Sequence, residues 1–143
     1  MLHSIQFSII QHLKNALPEL NDVVWMYSGV KLKNKKAPFV TVENINTDVR
    51  TLDKLHENVA NLYLFQIGVY NDKHGENVKL AEKVKVALIK DPIDLFDTDI
   101  NEVVGTFRAE VINIEPILPD DVEDELRYHR RYLNTTVYHI QKF

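Results

Sequence analysis

One segment near the middle of the chain constrains the fold more than any other. Residues 57–71 read ENVANLYLFQIGVYN, with apolar side chains on both faces at a period of two, which is the pattern of one long β-strand. Directly after Asn71 and Asp72, either of which offers the side-chain oxygen of a helix N-cap, apolar residues recur at helical spacing until Asp91 and Pro92 end the pattern. A long strand followed at once by an amphipathic helix predicts an α+β domain.

Segments with equally clear patterns flank this pair. Residues 2–17 predict an amphipathic helix with Gln6 away from its apolar stripe. Polar composition predicts a loop or hairpin tip at 46–56 and a loop at 94–101. Further strands are predicted at 23–28, 38–46, 103–117 and 131–141. The order α-β-β-β-α-β-β predicts a mostly antiparallel sheet with two helices packed on one face.

The predicted strand at 57–71 is longer than the core of a small domain requires. At ~3.3 Å per residue it would span ~45–50 Å. We therefore expect its second half, 65–70, to lie in the core, and its first half, 59–64, to project as a hairpin arm. An arm with two apolar faces predicts contact with a neighbouring chain.

Composition bounds the classes of function. A length of 143 residues fits a single domain over 1–143. The net charge of -4 and pI near 5.8 argue against specific nucleic-acid binding and attraction to anionic membranes. The chain has no cysteine, which excludes disulfides and thiolate chemistry. No apolar run approaches ~20 residues, and no signal-peptide pattern opens the chain, so no membrane partner is expected.

Catalytic and metal-binding motifs are absent from the sequence. The four glycines are dispersed, the six histidines form no short-spaced pair, and neither HExxH nor Gly-x-Ser-x-Gly occurs. An acidic residue two positions before a lysine, as in many metal-dependent nucleases, does not occur either. The expectation is therefore no catalytic residue, no metal, no cofactor and no enzymatic activity.

Two charged segments are candidates for contacts between proteins. The lysines at 31–36 fit either a solvated hairpin loop or an electrostatic contact with an acidic neighbour. The run DDVEDELRYHRRY at 120–132 changes from acidic to basic, which favours head-to-tail contacts between copies, although each residue alone fits a solvated turn. The predicted interface residues are Lys31, Lys33, Lys35, Lys36, Val59, Leu62, Tyr63, Leu64, Asp120, Asp121, Glu123, Asp124, Arg127, Arg130 and Arg131.

The layout as a whole resembles the tail terminator, or tail completion, proteins of long-tailed bacteriophages. The resemblance rests on the helix LHSIQFSIIQHLKNAL, the strand APFVTVENI, the strand NLYLFQIGVY, the helix ENVKLAEKVKVALI and a late antiparallel pair. It implies an α+β subunit of a homo-oligomeric ring, commonly a hexamer, with no cofactor or enzymatic activity. Such a ring caps the last ring of tail-tube protein, ends tube growth and offers a surface for head attachment.

The resemblance also implies partners and a location. The partners are further copies of the chain, the tail-tube protein and a head-completion protein, in the virion tail and, during assembly, in the host cytoplasm. Two alternatives remain open. One is a head–tail connector or stopper, which has a similar layout. The other is a small nucleic-acid-processing enzyme, which the acidic pI and the missing nuclease motif disfavour.

Overall fold

The structure is a computed structural model that describes residues 1–117 and 128–143. The described residues form a five-stranded sheet in the order β1-β2-β3-β7-β6 and a separate hairpin of β4 and β5. β1 runs parallel to β2, and the other neighbours are antiparallel, so the predicted α+β fold with a mostly antiparallel sheet is confirmed. The elements are α1 Leu2–Ala16, β1 Asp22–Met26, β2 Phe39–Thr51, β3 Asn58–Asn71, α2 His74–Ile89, β4 Ile93–Asp97, β5 Glu102–Phe107, β6 Ala109–Ile117 and β7 His129–Lys142.

Both helices pack on one face of the sheet, as predicted. The apolar stripe of α1 buries Ile5, Ile9 and Leu13 completely, and α2 buries Val84 and Leu88 in the same way. Their spacing of three or four residues places these side chains on one side of each helix. The sheet contributes alternate residues of its strands to this core, among them Val40, Val42, Phe65, Ile67, Val69, Leu133 and Val137.

A smaller cluster lies on the opposite face of the sheet, which we call the outer face. Residues 27–38, the β1–β2 connection, cross this face and bury Leu32 against Val24, Phe39 and Tyr70. The rings of Phe39 and Tyr70 are stacked with centroids 4.5 Å apart. The connection is therefore fixed to the sheet by an apolar anchor.

Gly68 leaves room for this outer cluster. It lies in β3 between Thr41 of β2 and Tyr132 of β7. A Cβ atom on Gly68 would lie 2.5 Å from Thr41 Oγ1 and 2.8 Å from a ring carbon of Tyr70. The missing side chain therefore lets the neighbouring rings lie across the strand.

Two buried serines of α1 cover the edge of the β4–β5 hairpin. The Phe96 N–H donates to Ser8 Oγ at 2.9 Å, and the Thr98 N–H donates to Ser4 Oγ at 3.1 Å. These bonds satisfy the donor of Phe96 at the edge of β4 and the donor of Thr98 in the turn that follows it. The predicted loop at 94–101 is wrong for its first part, because residues 94–97 belong to β4.

Three further expectations from the sequence are corrected. The predicted strand 103–117 is two strands, because the chain leaves one sheet for the other at Arg108. Gln6 is buried rather than outside the stripe, since its amide donates to the Val42 carbonyl at 2.9 Å. α2 begins after Lys73 without a side-chain cap, and Asn71, one of the two predicted N-caps, accepts instead a hydrogen bond from Asn77 at 3.0 Å.

Candidate self-association surface

A three-stranded arm extends from the sheet. It consists of residues 46–51 of β2, 58–64 of β3 and 136–142 of β7, with residues 52–57 as its tip. Seven residues of strand span ~23 Å. The predicted loop or hairpin tip at 46–56 is therefore wrong for residues 46–51, because pairing with β3 overrides their polar composition. It is right for residues 52–56, which lie in the tip. The projecting hairpin itself agrees with the expectation from the length of β3.

A β-bulge marks the start of the arm. The register of β2 on β3 shifts between Asn44 and Asn46, directly after Glu43, the last residue of β2 that pairs with β1. Bulges bend a strand and end its pairing with neighbours. Within the described residues, Tyr63 and Val137 are the arm residues nearest the tip that still belong to the core on the helix side.

The tip of the arm is held in shape by Asp53. Its carboxylate accepts hydrogen bonds from the Asn58 side chain at 2.7 Å and from the Glu57 N–H at 2.9 Å. These bonds, with the one from Asn58 the largest cause, lower the pKa of Asp53 below its usual value. Leu52 N–H also donates to the Asn58 carbonyl at 3.0 Å, which closes the hairpin. The arm therefore ends in an ordered turn.

The outer face of the arm is open, and it is apolar where β3 and β7 form it, while β2 adds Asp48 and Arg50. Ala60 is buried, while Leu62, Tyr138 and Ile140 around it are 39%, 56% and 45% exposed. The small side chain of Ala60 lies at the floor of a pocket of about 410 Å³, whose walls include Arg50 and Leu62. Large apolar side chains around a shallow notch are typical of a contact surface between proteins.

Both edges of the arm lack a neighbouring strand among residues 1–117 and 128–143. β1 pairs with β2 only as far as Glu43, and β6 pairs with β7 only as far as Val137. The outer edges of β2 at 46–51 and of β7 at 138–142 therefore carry backbone groups with no partner strand in the described chain. Such edges are templates for pairing with another chain.

The basic connection between β1 and β2 is rigidly attached. Lys35 Nζ lies 2.6 Å from the carboxylate of Asp22, and the hydrogen bond from Lys35 is the largest cause of the lowered pKa of Asp22. The Tyr128 hydroxyl donates to the Lys35 carbonyl at 2.7 Å. Of the other predicted lysines, Lys31 and Lys36 are exposed. Lys33 is exposed in the same connection. The connection thus presents positive charge on an ordered segment at one end of the sheet.

The predicted basic residues of β7 are partly used within the chain. Arg130 is 4% exposed, and its guanidinium lies 5.0 Å from the centroid of the Tyr70 ring. Its Nη1 donates to the Tyr132 hydroxyl at 3.3 Å. Arg131 is half-buried. The remaining predicted charged residues, Asp120, Asp121, Glu123, Asp124 and Arg127, lie outside the described residues.

The predicted interface residues of β3 differ in exposure. Leu62 lies on the open outer face, and Val59 and Leu64 are half-buried. Tyr63 is 5% exposed and belongs to the core on the helix side, where burial raises the pKa of its hydroxyl. Leu62 is therefore the member of this set most accessible to a neighbouring chain.

Reasoning from sequence did not single out the β7 side of the arm. Tyr138 and Ile140 lie on the same face at a spacing of two, next to Leu62 and Ala60 across the sheet. The alternation in the sequence assigns them to one face, but pairing with β3 was needed to place that face on the arm. Leu52 at the tip was missed because it follows a polar segment.

Two histidines of the described chain, His12 and His3, make contacts within the fold. His12 Nε2 donates to the Ala87 carbonyl at 2.7 Å, and the His3 ring lies 4.7 Å from the Trp25 ring. Burial is the main cause that lowers the pKa of His139, on the helix side of the arm. No three histidine, aspartate or glutamate side chains converge as a metal site within residues 1–117 and 128–143.

Comparisons with known proteins add no relative. No protein-family model matches the chain, and no curated protein matches its sequence. Neither α1 nor α2, the helices of the described residues, is long and apolar enough to cross a membrane. Inferences about function therefore depend on the arm, the charged segments and the layout of the elements.

Proposed function

We propose that the chain is a structural subunit of a phage tail, a tail terminator that acts as a homo-oligomeric ring without enzymatic activity or cofactor. The ring, hexameric in this proposal, binds the last ring of tail-tube protein, ends tube growth and presents a surface to a head-completion protein. Its location is the virion tail and, during assembly, the host cytoplasm.

The arm is the observation that carries the proposal. It is ordered to its tip, exposes Leu62, Tyr138 and Ile140 on one face, and has two strand edges without a neighbour in the described chain. A monomer gains nothing from keeping such a surface in water, whereas a second copy that covers it removes apolar area from solvent. Interfaces that are heterologous and close on themselves produce rings.

The element order supports the same proposal. A first amphipathic helix, a long hairpin, a second helix and a late antiparallel pair are present in the order on which the resemblance rests. The anchored basic connection at residues 27–38 supplies a second surface, with Lys31 and Lys36 exposed, for an acidic neighbour.

Native mass measurement tests ring formation. The purified chain, over a range of concentrations and with or without tail-tube protein, is expected to form one closed oligomer rather than a continuous series. A chain that stays monomeric in every condition, including with tail-tube protein present, contradicts the proposal.

Co-sedimentation distinguishes the terminator from a head–tail connector. The terminator is expected to sediment with isolated tails lacking heads and not with DNA-filled heads lacking tails. Binding to filled heads alone would instead support the connector. A divalent-metal-dependent cleavage of DNA or RNA that disappears on substitution of an acidic residue would support the nucleic-acid enzyme and refute both.

A further inference from the structure

The two strand edges of the arm run in the same direction. β2 and β7 are each antiparallel to β3, and both run from the body of the sheet toward the tip. Because β3 separates them, they cannot pair with each other within one chain. A strand that pairs with either edge must come from elsewhere, and a second copy offers the complementary edge.

We propose that neighbouring copies join through their arms, with the β2 edge of one copy pairing in parallel with the β7 edge of the next. The inference rests on the proposed ring, and it adds the surfaces through which the ring closes. Residues 48–51 of one copy would lie beside residues 138–141 of its neighbour, where the β7 edge is not paired with β6, and the sheet of the arms would continue from copy to copy.

The register of the arm indicates which residues meet. Within one chain, Asp48 and Tyr138 lie level with each other on either side of Leu62, and Arg50 and Ile140 lie level on either side of Ala60. Copies related by rotation about an axis along the arms keep these levels. Arg50 of one copy would therefore lie opposite Ile140 of the next, at about the 4.8 Å spacing of paired strands.

Charge and burial agree with this pairing. β7 ends with Lys142 at the level of the tip, and residues 52–57 of the tip contain two carboxylates, Asp53 and Glu57, and one lysine, Lys54. The residues of β7 from 129 to 142 include no acidic side chain. Lys142 of one copy would thus approach the tip of the next, whose net charge is negative. The pairing would also place the exposed outer faces of adjacent arms side by side, which covers part of Tyr138 and Ile140.

Symmetry distinguishes this pairing from the simplest alternative. Two β7 edges that pair with each other form an isologous contact, which is complete at two copies. A β2 edge paired with a β7 edge is heterologous and leaves one edge free at each end until the ring closes. The two arrangements therefore predict different cross-linked products.

Paired cysteine substitutions test the inference, because the natural chain has no cysteine. The double variant Arg50→Cys/Ile140→Cys is oxidised alone and with tail tubes, beside each single variant. The matched control is Arg50→Cys/Ile89→Cys, because Ile89 lies on α2 with 43% exposure, close to the 45% of Ile140. Facing thiols on paired strands fall within the ~4.4–6.8 Å Cα separation that a disulfide requires.

The double variant is expected to form covalent oligomers larger than a dimer, up to the size of the native ring. Thiols held together at near-millimolar effective concentration should react ~1,000-fold faster than thiols that meet in micromolar solution. The single variants and the control should stay monomeric on a non-reducing gel.

Three results would overturn the inference. Efficient dimers from Ile140→Cys alone would show β7 paired with β7. A native ring that fails to cross-link in the double variant would place the contact elsewhere and leave the proposed function intact. Tail tubes that protect both introduced thiols from maleimide, without cross-links between copies, would assign the edges to the tube protein. Failure of the unsubstituted chain to form any ring is a separate result, which refutes the proposed function.

Discussion

Substitution of Leu62 and Ile140 tests the apolar face of the arm most directly. Both side chains lie on its outer face and remain partly exposed, 39% and 45% respectively. We predict that the double substitution Leu62→Thr/Ile140→Thr weakens association between copies and leaves the fold intact. Threonine suits a strand, so the arm itself should persist.

The size of the effect follows from the exposed fractions. Full burial of a leucine or isoleucine side chain contributes ~1.5–3 kcal/mol. A neighbour that covers the remaining 39% and 45% would therefore gain roughly 1.3–2.5 kcal/mol from the two side chains. Since threonine keeps one methyl group, we expect a loss of about 1–2 kcal/mol for each contact, which raises its dissociation constant ~5–30-fold.

Sedimentation velocity over a concentration series measures this change, and urea unfolding reports the fold. Ile89→Thr is the matched control, since Ile89 is 43% exposed but lies on α2 away from the arm. The double variant should dissociate at higher concentration than the natural chain, while the control should not. Unchanged association of a folded double variant, or an equal loss in the control, would refute the assignment of the arm face as a contact.

Three further predictions concern the fold. Ser8→Ala removes the acceptor for a strand N–H and should lower the free energy of unfolding by ~1–3 kcal/mol, measured by urea unfolding, whereas Ser28→Ala in an exposed turn should not. Gly68→Ala places a methyl group 2.5 Å from a neighbouring oxygen and should cost ~1–3 kcal/mol, whereas Gly105→Ala, with open space around it, should cost little. Burial lowers the pKa of His139 below 6.5, so the unfolded chain binds more protons and stability falls as the pH drops below that value. His139→Gln should flatten this part of the pH profile, and an unchanged slope would contradict the assignment.

The sequence predicts the core elements well because their patterns are local. Ile5, Ile9 and Leu13 identify the buried side of α1, and alternation along β3 identifies Phe65 and Ile67 as core. The spacing of apolar residues within one element is enough to identify its buried face where one face is apolar and the other is polar. The fold class follows from the order of such elements.

The errors occur where pairing decides the structure. Residues 46–51 are polar, yet they form a strand because β3 lies beside them with free backbone groups. Residues 94–97 form a strand because Ser8 of α1 accepts from the Phe96 N–H at its edge and β5 pairs with its other side. Neither cause is visible within the segment itself.

In the candidate surface, too, local patterns predict some contact residues, and packing and strand pairing decide the others. The length of β3 predicts an arm, and its apolar faces predict Leu62 as a contact. Burial of Tyr63 depends on packing against the helix layer, and the contribution of Tyr138 and Ile140 depends on the register of β7 with β3. Long-range register is not encoded in periodicity alone.

Electron microscopy of tail-tube assembly tests the central proposal most directly. Purified tail-tube protein is polymerised with and without the chain, and tube ends and tube lengths are recorded. The proposal predicts a single added ring at one end of each tube and tubes that stop growing once capped. Tubes that keep growing at the same rate, with no added density at either end, would contradict it.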